Sequence, residues 1–406
     1  MRRITSVLFS LIAAGLAAGA GAAPPPVLPA PELLGPSEAA TPQARKAQLL
    51  ARSRDLRRTA PAKAPKTATV DCAKGDSLQA AIDQHPGDVT LEVRGLCNEN
   101  VRVSQRKLTL HGLDPATDGI RGVAADPPVN AALEVWYSEL VRIENLSISH
   151  PAGIGLGLWF SGVEAHNCRM VANARAGIHV SLSSFLDGTE LILSNNGRAG
   201  LNVQRNSSAF CLGCRLENNT TWAAVSNSGS LLSVLDGVIT GGRGLQSLTG
   251  SYADIDCVTE DSPYPCSLNV SRTAAFAIGD ATAALYGAGP FAGQLFANDR
   301  GEIYLYGAQQ TSTGVGPAGN PLPNIVEYFS TLIAEPYFDA TDTAHQSQLA
   351  GSTQLNTFSR ALLLDGTVVN GTLSCASAGD AWADAGVTVS GSPISGCDHV
   401  PPAPAP

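Results

Sequence analysis

The sequence has few lysines beyond its N-terminal part: after residue 70 only Lys74 and Lys107 occur. From residue 70 onward 16 basic residues stand against 32 acidic ones, a balance of −16. An acidic body argues against nucleic acid as a partner and against simple electrostatic capture of polyanions. A neutral glycan, or a glycan bound through bridging calcium, is more compatible with this negative charge than a polyanion is. The sequence otherwise predicts no cofactor and no metal site.

Long apolar runs are also absent beyond residue 23, where no stretch approaches 18 uninterrupted apolar residues. No membrane span is therefore predicted. Residues 1–23 combine two arginines, an apolar run over residues 7–18 and small residues before Pro24. These features are typical of a secretory signal peptide. The sequence thus predicts a secreted or periplasmic protein.

Residues 24–70 are rich in proline and alanine and carry eight Lys/Arg against three acidic residues. Pro-rich segments are extended and do not bury a core of their own. Two interpretations stay open. The segment is a solvated linker, or it is a basic arm that lies on acidic cell-wall polymers or on the acidic body behind it. A short helix over residues 42–57 is compatible with the sequence.

A repeat of 23 residues organises the middle of the chain, from about residue 133 to residue 268. Two sets of markers recur at this step without a slip: Ser138, Ser161, Ser184 and Ser207, and His150, Asn173, Asn196 and Asn219. A fixed period of 20 to 50 residues indicates a solenoid or an array.

The interior of each repeat alternates with period two, as Ile178, Val180 and Leu182 do, which indicates strands rather than helices. Each repeat is therefore predicted to form one coil of two or three short strands. Stacked coils place inward residues in columns, and the asparagines should form a ladder at one bend. The two predicted columns are apolar: Leu146, Cys168, Leu191 and Cys214, and Ile148, Met170, Leu193, Leu216 and Ile239.

These coils, together with DSLQAAID at residues 76–83, resemble the right-handed parallel β-helix of the pectin-lyase-like superfamily. The resemblance implies an all-β solenoid with an N-terminal capping helix over residues 76–83 and a small C-terminal β extension. The predicted organisation is a signal peptide (1–23), a basic linker (24–70), the β-helix (71–310) and a C-terminal loop and disulfide-stapled capping region (311–406).

The nine cysteines belong to a chain predicted to be exported, where disulfides persist. Three pairs are close in sequence and bracket bends or ends, so they are predicted to be disulfides: Cys72 with Cys97, Cys257 with Cys266, and Cys375 with Cys397. Cys168 and Cys214 lie two coils apart, too far to bridge. For Cys211 and Cys214 a metal half-site or a redox pair is an alternative. We favour the interpretation that Cys211 and Cys214 are free thiols in or near the core, because the sequence offers no second cysteine pair to complete a metal site.

Outward positions on successive coils suggest a glycan surface. Trp136 and Trp159 are 23 residues apart, so their rings are expected to lie one above the other. Gly157 has no side chain and is expected to leave open space beside Trp159. His179, Asn202 and Gln204 follow on the next two coils. Flat rings with fixed polar groups suit sugar rings. In the alternative interpretation, a loop such as residues 113–130 covers the two tryptophans. Their rings then pack inside the protein and do not bind a sugar.

Catalytic signatures are harder to find. The resemblance implies carbohydrate-active enzymes, yet the chain has no Asp-Asp, no Gly-His-Gly and no Asp-Pro-His-Asp. The acid–base candidates are Glu134, Glu164, His179 and Asp187, and Arg205 is a candidate for neutralising a uronate or for acting as a lyase base. The sequence leaves open whether the protein binds and cleaves an extracellular polysaccharide, as a lyase or a glycoside hydrolase, or is a non-catalytic adhesion scaffold. It does not indicate the oligomeric state.

Overall fold

The computed structural model describes residues 66–124, 130–257, 263–287, 290–316, 318–335, 346–364, 367–377, 379–384, 387–390 and 396–397. The predicted signal peptide and nearly all of the basic linker lie outside these residues. Among the described residues, no helix is long and apolar enough to cross a membrane.

The described chain is a parallel β-helix, as the repeat predicts. One wall of the coils is a 14-stranded parallel sheet, called sheet A here. Its strands are Lys66–Asp71, Val89–Arg94, Leu108–Gly112, Val141–Glu144, Gly162–His166, Phe185–Thr189, Ser208–Leu212, Leu231–Leu235, Tyr252–Asp256, Thr282–Tyr286, Glu302–Tyr306, Thr331–Glu335, Arg360–Leu363 and Asp380–Ala383.

The other walls belong to a 19-stranded sheet, called sheet B. It consists of two parallel ladders that join where Val238–Leu248 pairs with both Arg215–Asn219 and Ala224–Asn227. Its remaining strands are Leu96–Cys97, Val101–Ser104, Gly119–Arg121, Ala131–Trp136, Ser147–Ser149, Ile154–Trp159, Arg169–Val171, Ile178–Ser181, Ile192–Ser194, Leu201–Gln204, Ser267–Ile278, Phe291–Asn298, Gln310–Ser312, Asn324–Val326, Thr353–Asn356 and Leu373–Ala376.

Parallel pairing continues past residue 310, where the sequence pattern fades. Sheet A runs on through Thr331–Glu335, Arg360–Leu363 and Asp380–Ala383. A small third sheet of Gln348–Ala350, Val368–Asn370 and Thr388–Val389 forms in the same region. These coils have unequal lengths, and for that reason no fixed period reveals them in the sequence.

The serine markers stack as a buried ladder. The backbone N–H of Ser138 donates to Ser161 Oγ (3.1 Å), and that of Ser161 donates to Ser184 Oγ (3.1 Å). The same bond recurs through Ser207, Ser230 and Ser251. Each hydroxyl therefore satisfies a backbone N–H at a bend that strand pairing leaves open.

The predicted asparagine ladder is also present and buried. Asn173 donates from its backbone N–H (3.1 Å) and from Nδ2 (2.9 Å) to Asn196 Oδ1. Asn196 repeats both bonds to Asn219 Oδ1. Both predicted apolar columns are fully buried, with Met170 paired to Ile148 and Leu193, for example. The step is 23 residues along most of these ladders and columns, but it is 22 residues between the first two members of each apolar column and 21 between Ser230 and Ser251.

A helix, α1 (Leu78–Gln84), lies at the N-terminal end, with Leu78 and Ile82 in the core. The Glu99 carboxylate accepts from the N–H of Leu78 (2.6 Å). The Gln79 side-chain amide accepts from the N–H of Arg102 (2.7 Å) and donates to its carbonyl (3.2 Å). Because Arg102 lies on Val101–Ser104, this helix covers backbone groups at the start of the ladder.

The structure contains four disulfides. Cys72–Cys97, Cys257–Cys266 and Cys375–Cys397 are the three pairs that the sequence suggests. The fourth, Cys211–Cys214, corrects the expectation of two thiols, because the short bend between these residues brings their Cα atoms to 5.8 Å. Cys168 is a buried free cysteine.

Candidate functional site

The outer face of sheet B around Trp136 and Trp159 is called the tryptophan face. The two residues are register partners on neighbouring coils. Their rings stack with centroids 4.6 Å apart and planes 13° apart. The guanidinium of Arg102 lies over the Trp136 ring, 5.1 Å from its centroid. These ring faces are thus engaged within the protein.

Trp159 is a packed residue, with 8% of its surface exposed. It forms a cluster with Ala131, Ile154 and Ala176. A Cβ built on Gly157 would come within 3 Å of the Trp159 ring. The sequence suggests that Gly157 leaves open space beside Trp159. The structure shows that the indole ring of Trp159 itself fills this space. Residues 125–129, part of the loop considered as a cover, lie outside the described residues.

The polar members of the tryptophan face contact one another. Asn202 Nδ2 lies 3.1 Å from His179 Nδ1, and Gln204 Nε2 lies 3.1 Å from His179 Nε2. Burial lowers the pKa of His179 to about 4, and the nearby charges of Arg175 and Arg205 contribute. The imidazole is therefore neutral at neutral pH, and each of its nitrogens contacts a side-chain amide. This arrangement suits a residue that holds Asn202 and Gln204 in place.

The other sequence candidates do not all lie on one wall. Glu134 is buried on the tryptophan face and accepts from Trp136 Nε1 (3.3 Å). Arg205 is an exposed bend residue with a positive φ of 57°. Asp187 lies on sheet A, away from Glu134 and His179. Glu134 and His179 share one column of the tryptophan face two coils apart, and the charge of Arg205 acts on His179, so only Asp187 lies on a different wall.

Asp187 instead lines a groove of about 210 Å³ on the outer face of sheet A, called the carboxylate groove. Arg142, Glu164 and Asp187 occupy one column on three successive strands. Register partners in a parallel sheet are about 4.8 Å apart along the column. His166 and Thr189 line the same groove from the neighbouring column. Glu144 lines it too, so the groove combines three carboxyls, a guanidinium and an imidazole.

Within this groove one acceptor is left open. Glu164 Oε2 accepts from Arg142 Nε (2.6 Å). Glu164 Oε1 is buried and has no hydrogen-bond partner in the part of the chain that the structure describes. A buried carboxylate oxygen that lacks a donor costs free energy. A ligand hydroxyl that entered the groove would remove that cost.

A second, larger groove of about 520 Å³ lies where sheet B bulges, between Asn218–Asn219 and Ser271–Arg272. Arg243 and Arg272 line it. The Arg243 guanidinium lies 5.4 Å from the ring centroid of Trp222 and is thereby held in place. The sequence does not reveal this groove, because the bulges shift the strand register without a visible change in the repeat.

Exposed aromatic side chains stack in pairs at one bend of the coils, and the sequence pattern alone does not single them out. Tyr137 and Phe160 stack with centroids 5.0 Å apart, and both are exposed. Phe329 and Phe358 stack similarly, 5.4 Å apart. The first pair has the 23-residue spacing of the repeat, which is the signal that reveals it.

The structure offers no clear metal centre in its described part. Cys72, Cys97 and Glu99 lie together, but the two sulfurs are joined in a disulfide and Glu99 binds the start of α1. Calcium binding stays a prediction.

No family model matches the sequence, and no curated protein matches it. Solved structures that are similar include a pectin methylesterase variant in complex with a hexasaccharide (10% identity, TM-score 0.27) and pectin methylesterase from Erwinia chrysanthemi (8% identity, TM-score 0.27). A further pectin methylesterase in complex with a hexasaccharide has 8% identity and a TM-score of 0.29. Each similarity covers 84% of this chain and 92% of the other.

Proposed function

We propose that this protein is exported and binds an extracellular polysaccharide in the carboxylate groove. The observation that carries the proposal is the Glu164 carboxylate: the residue lines the groove, and its buried Oε1 has no donor among the described residues. A sugar hydroxyl supplies such a donor, and Arg142 and His166 offer donors to sugar oxygens. Four disulfides support an oxidising compartment.

The dimensions of the solenoid support a chain ligand. Equivalent side chains repeat about every 4.8 Å along the axis, which is close to the length of one sugar unit. A polysaccharide that runs along the axis would meet one coil after another. The acidic balance of the body favours a neutral glycan over a polyanion.

The test is binding to a panel of purified polysaccharides by the parent and by Glu164→Gln. We expect the variant to bind at least tenfold more weakly, since it loses the charge of the acceptor. Glu217→Gln is the matched control, because Glu217 also pairs with an arginine (Arg215, 2.6 Å) but lies on sheet B. Equal affinity of Glu164→Gln and the parent, or binding by neither, would refute the proposal.

Cleavage of the bound glycan is a separate proposal about the same groove. Glycoside hydrolysis uses two carboxyls, about 5–5.5 Å apart in retaining enzymes. Glu164 and Asp187 are register partners on neighbouring strands, so their backbones lie about 4.8 Å apart and their side chains extend from the same face of sheet A. If the protein hydrolyses the glycan that it binds, new reducing ends should appear with the parent and vanish with Asp187→Asn.

A non-catalytic scaffold is the second candidate. The covered rings of Trp136 and Trp159 favour it, because they remove the aromatic platform that the sequence suggests for sugars. A parent protein that binds no polysaccharide of the panel would favour this function.

A further inference from the structure

The larger groove, at the bulges of sheet B, is called the arginine groove here. Three neighbouring strands contribute to it: Arg215–Asn219, Val238–Leu248 and Ser267–Ile278. Its volume of about 520 Å³ is in the range of small-molecule sites. The carboxylate groove lies on sheet A, so the arginine groove occupies a different wall and needs an account of its own.

Two changes of strand register form this groove. Asn218 is an extra residue between two register pairs that its strand makes with the next strand. One coil further, Ser271 and Arg272 together stand opposite the single residue Gly242. A β-bulge of this kind bends the strand and changes the direction in which its side chains point. As a result, side chains from successive coils line the same groove instead of projecting in parallel columns.

The backbone around the bulges is held in place by the protein. Gly241 has a φ of 124°, a conformation that glycine adopts readily and other residues do not. The N–H of Val315 donates to the carbonyl of Ser271 (3.1 Å). Asn219 is fixed by the asparagine ladder and donates from Nδ2 to the carbonyl of Leu193 (2.9 Å). A groove that is ordered in advance lowers the free-energy cost of binding a ligand.

The charges that line this groove are both positive. Arg243 and Arg272 line it, and among the described residues no carboxylate does. Neither arginine forms an ion pair within the part of the chain that the structure describes. The ring of Trp222 supports the Arg243 guanidinium, 5.4 Å from its centroid. Two like charges at one groove repel each other, and a bound anion would remove this repulsion.

The lining also indicates the kind of anion. Guanidinium groups match the oxygens of carboxylate and phosphate groups and bind them through two parallel hydrogen bonds. The Asn218 amide and the hydroxyls of Thr220 and Ser271 line the rest of the groove and offer hydrogen bonds to further polar groups. The surrounding body has 32 acidic and 16 basic residues, so it disfavours a polymer with a charge on every unit. A single oxyanionic group fits these conditions.

We propose that the arginine groove binds one oxyanionic group, a carboxylate, phosphate or sulfate, through Arg243 and Arg272. The group is either a free anion or a substituent of a small hydroxylated molecule, whose other polar groups contact Asn218, Thr220 and Ser271. This inference goes beyond the proposed glycan binding on sheet A, and it holds whether or not the carboxylate groove binds a sugar.

The first test is isothermal titration calorimetry at low ionic strength. The probes are glucuronate, glucose-6-phosphate, glucose-6-sulfate and inorganic phosphate, and uncharged glucose is the control. We expect at least one anion to bind at least tenfold more tightly than glucose. Tighter binding of a sugar anion than of inorganic phosphate identifies a substituted molecule as the ligand, and the reverse order identifies a free anion. Binding of no anion, or equal binding of glucose and the anions, would overturn the proposal.

The second test removes the guanidiniums. Arg243→Gln with Arg272→Gln should weaken anion binding at least tenfold, because both charge-assisted contacts are lost. Arg272→Gln alone covers the case in which the double variant fails to fold, since Arg272 is exposed. The matched control is Arg121→Gln with Arg360→Gln, which changes two exposed arginines outside the groove and should leave the affinity unchanged. Retained binding in Arg272→Gln, or equal loss in the control, would contradict the proposed site.

A third variant fills the groove and keeps both arginines. Gly242 lines the groove, its φ is not positive, and a Cβ built on it meets no atom within 4 Å. Gly242→Leu should therefore fold and block the anion, with at least tenfold weaker binding. Gly87→Leu is its control, because a Cβ there also meets open space but lies outside the groove. Full binding by a folded Gly242→Leu protein would place the anion elsewhere and overturn the proposal.

Discussion

Trp136 stacks on Trp159 one coil away, with ring centroids 4.6 Å apart. The 23-residue spacing predicts that these two residues lie one above the other, and they do. Their faces, however, contact each other, Arg102 and the surrounding apolar residues instead of solvent. The stack therefore contributes to stability, and the glycan site proposed above lies on sheet A instead.

Trp159→Ala should lower the free energy of unfolding by about 3 kcal/mol, because it removes a large buried ring. Chemical denaturation of the purified variant measures this loss. Trp382→Ala is the control, since Trp382 is exposed and should cost much less. A Trp159→Ala protein of unchanged stability but weakened glycan binding would return the binding site to the tryptophan face.

Asn196→Ala should destabilise the protein by about 3 kcal/mol. Asn196 Oδ1 accepts two hydrogen bonds from Asn173, and its loss leaves two buried donors without a partner. The exposed Asn98 makes one long bond of 3.4 Å to Leu96, so Asn98→Ala should change stability by less than about 0.5 kcal/mol. Equal effects of the two substitutions would show that the ladder is not a stabilising feature.

Stability should depend on His179 in acid. Its pKa in the folded protein is about 4, below the ordinary value of 6.5, because burial disfavours the charged form. As the pH falls, the unfolded chain binds this proton first. The free energy of unfolding should therefore fall between about pH 6.5 and pH 4, by at most about 1.4 kcal/mol per pH unit, and be unaffected by this group above that window.

His179→Gln removes this titration and should flatten the stability curve in the same window. Denaturation midpoints measured at intervals from pH 4 to pH 8 provide the comparison. His150 is present in both proteins, and since burial also lowers its pKa, only the difference between the curves reports on His179. Parallel stability curves for the parent and the variant would contradict the assignment of this pH dependence to His179.

Thiol counting should find one free cysteine in the unreduced chain. Cys168 is buried, and burial raises its pKa to about 12, so a thiol reagent should not react with it in the native protein. One thiol per chain should react in denaturant without reductant. Three reactive thiols would show that Cys211 and Cys214 are not joined.

The sequence by itself determined the coils, because equivalent residues of each repeat occupy equivalent places. The stacked serines, the asparagine ladder and the apolar columns all follow from a 23-residue step and a two-residue alternation. They depend on pairing between neighbouring coils, and the sequence shows this directly. The same step also predicted the stacking of Trp136 on Trp159.

Only the tertiary structure decided which outer faces are covered. Burial of Trp159 depends on the direction of its side chain and on the apolar residues that pack against its ring, and a repeat does not encode either. The groove at Glu164 and Asp187 arises from side chains on neighbouring strands of sheet A. In the sequence, these carboxylates are indistinguishable from ordinary surface charges. The coils beyond residue 310 needed the structure too, because strand pairing tolerates unequal loops where a sequence period does not.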